Sequence, residues 1–294
     1  MLLSKIINKL RGIYLDIFFY FNDKILFKDK YGLTYYLYKN TRPKDTFNIG
    51  VRTDDTSVLY VIEKILSSSN TKNSDTIHCI DVGSFIGVIT LMMSNTLQKN
   101  GKNWKIHCFE PFQESFLRLQ KNVNLDPFNK NIILNNLAVS DISGKKTLKT
   151  YPGTPGQNHI DISPFQNKDI IYQESSVEAI TLRDYIYKNN IKNINICKID
   201  TEGLDEQVIK GLYEYLKNRV INYFIFEYDN KLSYEKIKNI LSANGYTIYY
   251  MVRNENIIIN SLKSYPKNSK SLLNLIAVSS DEIANFKKEF NLSY

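Results

Sequence analysis

Hydrophobic and polar positions along the 294-residue chain alternate between two spacings. Short apolar runs, "TIHCID", "KIHCFE", "NIILNN", "SVEAI", "NINICKID", "VINYFIFEYD", "YTIYYMV" and "LLNLIAVS", read as strands. Between them, Ile86–Leu97, Phe112–Leu125, a short stretch of "TLRDYIYKN", Asp205–Leu216 and Tyr234–Ala243 carry helical spacing. Upstream, Asp54–Ser69 is a further helix that Asp55 or Thr56 can cap, and "YGLTYYLYKN" reads as irregular strand. Strands and helices in alternation predict a doubly wound, mostly parallel α/β sheet. Two segments break the rhythm. "LAVSDISGKKTLKTY" predicts a hairpin turning at Asp141–Gly144, and "PGTPGQNHIDISPFQNKD" predicts a long loop placed to close over a substrate, with Tyr151 and Phe165 as candidates to stack on a sugar face.

In such sheets ligands sit beyond the carboxyl ends of the strands, so the strand ends carry the chemistry. The first ends in Asp81-Val82-Gly83 and turns through Ser84 and Phe85 to Gly87. That spacing is G-x-x-x-G, and the G-x-G-x-x-G pyrophosphate fingerprint is absent, which argues against a nicotinamide dinucleotide. Gly83 permits a tight turn close to a ligand, and Ser84 offers a hydroxyl. The second strand ends in Glu110-Pro111, a carboxylate suited to the two hydroxyls of a ribose. After the third, Asn136 and Ala138 are placed to flank an adenine. A nucleoside pocket with no pyrophosphate site suits S-adenosylmethionine. The fourth strand ends in "CKIDTEG", with Lys198, Asp200 and Glu202 close together. If the strand persists, Asp200 and Glu202 share a face. Crowded carboxylates repel, so one can serve as a base, or the pair can bind a divalent cation through oxygen. Glu227 ends the next strand. His159, in the long loop, is a second candidate base, whereas His78 and His107 lie within strands and read as structural.

The elements "DVGSFIGVIT", "CFEPFQESFLRLQKNV", "LAVSDISG", "TLRDYI", "KIDTEGLDEQVIKGL" and "FIFE" follow the order seen in the FkbM-type methyltransferases, which this chain resembles over roughly residues 80–227. The resemblance implies a class I, Rossmann-like fold with an antiparallel strand near its C-terminus, using S-adenosylmethionine to methylate a hydroxyl on a sugar or natural product. It implies that Asp81, Gly83, Glu110 and Ala138 hold the cofactor and that Asp200 and Glu202 lie at the reacting side. The chain departs from the family pattern at three positions. Phe85 and Asp126 stand where the family usually has Asn, and Arg183-Asp184 where it has two aspartates. Arg183 is thereby placed to reshape the acceptor pocket or to pair with Asp200 or Glu202.

Charge adds an N-terminal arm. Of the formal net charge of +8, residues 1–50 carry nine basic and four acidic side chains. Within it, Leu3, Ile6, Ile7, Leu10, Ile13, Tyr14, Ile17, Phe18 and Phe21 form an apolar stripe at helical spacing beside Lys5, Lys9 and Arg11. That amphipathic helix either docks on residues 51–294, read as the methyltransferase domain, or rests on a membrane surface. The run is too short to span a bilayer and lacks a signal-peptide cleavage site. Cys79, Cys108 and Cys197 each fall inside a strand, as small buried hydrophobes, and fit a reducing, cytoplasmic setting. The expected function is O-methylation of a sugar or glycan precursor. A non-catalytic binding or scaffold protein on the same fold is one alternative. A nucleic-acid methyltransferase is another, opposed by basic residues that gather in the arm and by the lack of a base-stacking aromatic motif. No nucleic-acid partner is expected.

Overall fold

The computed structural model describes residues 18–29, 32–39, 55–68, 76–151, 159–160, 172–227, 231–253, 257–261 and 274–292. Of the amphipathic helix read over residues 3–21, the described part is the helical turn 18–21, and residues 3–17 lie outside, as does most of the 152–169 loop with Phe165.

The main sheet begins with β3 (Thr76–Val82), β4 (Asn103–Phe109) and β5 (Ile132–Asn135) and continues with β10 (Ile194–Ile199) and β11 (Ile221–Glu227). It ends with β12 (Tyr246–Arg253), β13 (Ile257–Ser261) and β14 (Asn274–Ser279). Its order is β13-β12-β14-β11-β10-β3-β4-β5. Five neighbouring strands, β5 to β11, are parallel, and β14 runs against both β11 and β12. This is the doubly wound, mostly parallel sheet expected, reversed strand included. The chain leaves β3 toward β4 and β5, then returns to lay β10 on β3's other side. The switch point therefore falls between β3 and β10, which is where such sheets bind ligands.

Alternation along the strands sorts the core into two layers. Ile77 and Cys79 of β3, Ile106 and Cys108 of β4 and Ile196 of β10 face one side. There they meet α1 (Asp55–Ser67), α2 (Val88–Leu97), α3 (Gln113–Val123) and α8 (Ile283–Glu289). Helix α1 buries Val58, Leu59, Val61, Ile62, Ile65 and Leu66, the i, i+3, i+4 stripe of a core-facing helix. Ile80, Val82, Phe109, Cys197 and Ile199 face the other side. That layer is covered by α4 (Leu182–Lys188), α5 (Asp205–Lys210), α6 (Tyr213–Lys217) and α7 (Lys231–Ala243). All three cysteines are free and buried, as expected.

At the N-terminal side, β1 (Lys24–Lys28) and β2 (Thr34–Tyr38) form an antiparallel hairpin whose Leu33, Tyr35 and Leu37 enter the first core layer. The helix read over Asp205–Leu216 is broken into α5 and α6 at Gly211, which packs against the backbone of Ser140 and Asp141. The hairpin read over residues 137–151 is not formed. Strands β6 (Ala138–Val139) and β7 (Gly144–Thr150) are separated by β9 (Gln173–Ile180), and β8 (His159–Ile160) lies at β7's far edge. A turn at 141–144 is local, but the partner of both strands is β9, which lies beyond residue 172.

Candidate active site

The turn after β3 is locked to its neighbours through the backbone. Gly83 and Ser84 N–H both donate to the Phe109 carbonyl, at 2.9 and 3.0 Å. Gly83 stands at φ +76°, and a Cβ on it would lie 1.8 Å from the Asp200 carbonyl oxygen. The two strand ends thus touch through a glycine that nothing larger can replace. Gly87, at φ +91°, opens α2, and its Cβ would meet Leu119 at 2.6 Å. Phe85 occupies the left-handed region at φ +48°. Asn is tolerated there far better than a bulky residue, which gives a backbone reason for the Asn that the family pattern has at this position. The Ser84 hydroxyl donates to the Asp81 carbonyl at 2.7 Å, so its proton is spent inside the turn and is not presented outward as expected.

Glu110 ends β4 and holds this turn. One carboxylate oxygen accepts from Phe85 N–H and the other from Phe112 N–H, each at 2.9 Å. Burial pushes its carboxyl up to about 7, against the pull of the two amides, and the charges of Asp81 and Asp200 add to the rise. Asn136 donates to the Glu110 and Pro111 carbonyls, fixing the turn between β4 and α3 from the end of β5. Ala138, in contrast, is packed away with Leu148, Ile160, Ala179 and Leu204 at the base of the small sheet.

Asp81 is fully buried beneath the turn. Its Oδ2 accepts from the Thr90 hydroxyl at 2.6 Å, and its Oδ1 lacks a hydrogen-bond partner but lies 3.8 Å from Lys198 Nζ. Lys198 sits directly opposite Asp81 in the β3–β10 register, and its ammonium reaches up to Asp200 Oδ2 at 3.0 Å. One buried lysine therefore bridges the carboxylates of both strand ends.

Strand β10 stops at Ile199, so Asp200 and Glu202 do not share a strand face. Both lie in the loop that follows the strand. Thr201 N–H and its hydroxyl both donate to Asp205 Oδ1, at 3.1 and 2.6 Å, and the Thr201 hydroxyl accepts from Leu204 N–H. Asp205, at the start of α5, folds the loop back on itself, while Glu202 and Gly203 take φ of +52° and +114°. Asp200 and Glu202 follow β10 and Glu227 ends the neighbouring β11, near enough for the charges of the first two to act on the third. Glu227 is driven far above the ordinary carboxylate range by the charge of Asp200 first, then by burial and Glu202, with Lys198 opposing. In the sequence Glu227 stands out only as a strand end. The adjacency of β10 and β11 turns that strand end into a third acid.

His159 lies in β8, with its backbone opposite Lys149 of β7, not in the loop expected. Tyr151, a candidate for stacking on a sugar, is buried. Arg183 pairs with its neighbour Asp184 at 3.0 Å on the exposed side of α4, and not with Asp200 or Glu202. Asp126 accepts from Phe128 N–H and shapes the turn after α3. His78 and His107 are structural as read: their rings stack and link at 3.0 Å, and His107 continues to the Tyr185 hydroxyl at 2.9 Å. Among the described residues, no group of three or more His, Cys, Asp or Glu is arranged to hold a metal ion. Among them, too, no helix is long and apolar enough to cross a membrane.

A family model, the methyltransferase FkbM domain, matches residues 81–248, from the buried aspartate of β3 into β12. The chain belongs to the FkbM methyltransferase family. The match takes in the turn, Glu110, the Lys198–Glu202 loop and Glu227. A curated relative, Methyltransferase 1 of Beauveria bassiana, is 25% identical over 183 residues, covering 58% of this chain and 72% of that protein. Among solved structures, methyltransferase FkbM from Methylobacillus flagellatus is 16% identical with a TM-score of 0.46. It is aligned over 71% of this chain, which spans only 45% of that protein's length. The N-terminal domain of human METTL16 in complex with SAH aligns at 11% identity and a TM-score of 0.46, over 87% of this chain and 88% of that one. Family membership makes this chain a methyltransferase. The Glu110 site fits the nucleoside half of S-adenosylmethionine: each carboxylate oxygen accepts one backbone N–H and keeps acceptor capacity for a ribose hydroxyl.

Proposed function

We propose that this FkbM-family protein transfers the methyl group of S-adenosylmethionine to a hydroxyl of a sugar or glycan precursor. The observation that carries the reading is the close packing of the Asp200 backbone on Gly83, in the turn that Glu110 holds, with the charges of Asp200 and Glu202 acting on Glu227. In this reading Gly83, Phe85, Gly87, Glu110 and Asn136 form the cofactor side, and Asp81 supports it from below. S-adenosylmethionine supplies a methyl already activated on a sulfonium. The chain's task is then to align an acceptor oxygen and to remove its proton. A sugar hydroxyl is a weak acid, and the carboxylates accept its hydrogen bond. Glu227, its proton affinity raised by Asp200, burial and Glu202, already carries a proton at neutral pH, so Asp200 or Glu202 is the carboxylate that takes up the acceptor's proton as the oxygen–carbon bond forms. The products are a methyl ether, the thioether of the spent donor and a protonated carboxyl.

The test uses the full chain with methyl-labelled S-adenosylmethionine and a panel of nucleotide sugars and free glycans, with products located by mass spectrometry and NMR. An O-methyl sugar, lost in Asp200→Ala and Glu227→Ala proteins that still bind S-adenosylhomocysteine, supports the proposal. Label on nitrogen or on a nucleic acid overturns the acceptor class. Cofactor binding with no product from any acceptor favours the scaffold alternative.

A further inference from the structure

The N-terminal hairpin and the cofactor turn are joined by one buried side chain. Asn122, at the C-terminal end of α3, has no exposure to solvent. Its Oδ1 accepts from Tyr36 N–H of β2 at 2.7 Å. Its Nδ2 donates to the Ile86 carbonyl at 2.8 Å and to the Tyr36 carbonyl at 3.3 Å. Ile86 lies inside the turn between Phe85 and Gly87, the segment that Glu110 grips through Phe85 N–H. A single amide thus satisfies both backbone groups of an arm residue and one of the cofactor turn.

The contact is specific in chemistry. Only a side chain with an acceptor and a donor on one planar head can make these bonds. An aspartate would keep the bond from Tyr36 N–H and set an oxygen against two carbonyls, and an alanine would leave buried backbone groups without partners. The turn itself is under backbone demand, with Phe85 and Gly87 both at positive φ, and a brace at the residue between them resists its relaxation. The arm side is equally anchored: Tyr35 and Leu37, flanking Tyr36, are fully buried in the first core layer. Tyr36's own ring lies on the hairpin's other face, under the Lys24 ammonium at 4.2 Å.

We propose that Asn122 is a positioning residue for methyl-donor binding, and that the 24–38 hairpin is through it an integral part of the cofactor site. The inference rests on the proposed use of S-adenosylmethionine. If hairpin and turn are coupled, the coupling is reciprocal: docking of the hairpin tightens the donor's hold, and the donor tightens the hairpin.

The experiment is amide hydrogen exchange on the full chain with and without S-adenosylhomocysteine, alongside calorimetric titration of the same probe. In the wild-type protein the probe slows exchange at residues 34–38, the Tyr36 amide above all, as well as at 83–87. In Asn122→Asp the response at 34–38 is lost, and affinity for the probe falls about tenfold. The KM for the acceptor stays within twofold, a split that general loosening of the fold would not produce. Protection confined to 83–87 in the wild-type protein overturns the proposal, and this arm needs no variant to fold. An Asn122→Asp protein of native melting behaviour that binds the probe as the wild type does also overturns it. If the wild-type protein binds no S-adenosylhomocysteine at all, the cofactor reading fails first, and the inference with it.

Discussion

Replacing Gly83 by alanine tests how the two halves of the site are joined. The new Cβ would sit 1.8 Å from the Asp200 carbonyl oxygen, where ordinary contact begins near 3.4 Å. The Asp200 backbone or the turn must therefore give way by about 1.6 Å. Neither is free to do so. The Gly83 N–H is tied to Phe109 and the Asp200 N–H to the Val82 carbonyl at 3.0 Å. A non-glycine residue at φ +76° adds roughly 1–2 kcal/mol of backbone strain, and forcing packed segments apart adds roughly 1–3 kcal/mol. The expected loss of stability is about 2–5 kcal/mol, read as a shift of the urea midpoint at unchanged slope. Function should suffer more than stability. A displacement above an ångström between the donor turn and the Asp200 carboxylate is enough to lower turnover about a hundredfold or more. Both quantities are measured on one preparation below the unfolding transition. A Gly83→Ala protein with unchanged urea midpoint and turnover within twofold of wild type would refute the idea that this backbone contact sets the geometry of the switch point.

The remaining predictions concern charge and backbone. Lys198→Met should lose about 3–5 kcal/mol, because Asp81 then keeps a buried charge with no cation; Asp81→Asn in the same protein should restore much of it, measured by denaturation of the single and double variants. Affinity for S-adenosylhomocysteine should fall as pH drops through about 7, because protonated Glu110 loses acceptor capacity toward a ribose, and titrations from about pH 5.5 to 8.5 should show the slope flattened in Glu110→Gln. For the ligand-free protein the sign is opposite. Glu110 has a folded-state value above its unfolded value of 4.5, so its contribution to stability is complete below pH 4.5 and is lost as pH rises through about 7. Phe85→Asn should raise stability by roughly 1 kcal/mol by easing the left-handed position at φ +48°, seen as a higher melting temperature.

What the sequence alone determined was the local grammar. The two-residue and 3.6-residue periods set which segments are strands and helices, and each strand's alternation already divided Cys79 and Ile80 between opposite core layers. The strand-end residues Gly83, Glu110, Asn136 and Asp200 were legible for the same reason, since an α/β sheet binds ligands at those ends and nowhere else along the strand. Pairing between distant segments was not legible. The hairpin read at 137–151 failed because β9, not β7, had the complementary edge for β6, and only tertiary packing chooses among edges. Asp200 and Glu202 do not share a strand face, because a Thr201–Asp205 loop with two residues at positive φ stands where the sequence suggested a continuing strand. Glu227 acquired its proton affinity, Lys198 its two carboxylates and Asn122 its grip on Tyr36 only once β10 lay between β3 and β11 and the arm lay on α3. Periodicity is a property of neighbours in the chain. A charge's energy and an amide's partners depend on neighbours in space, and those are decided by the fold as a whole.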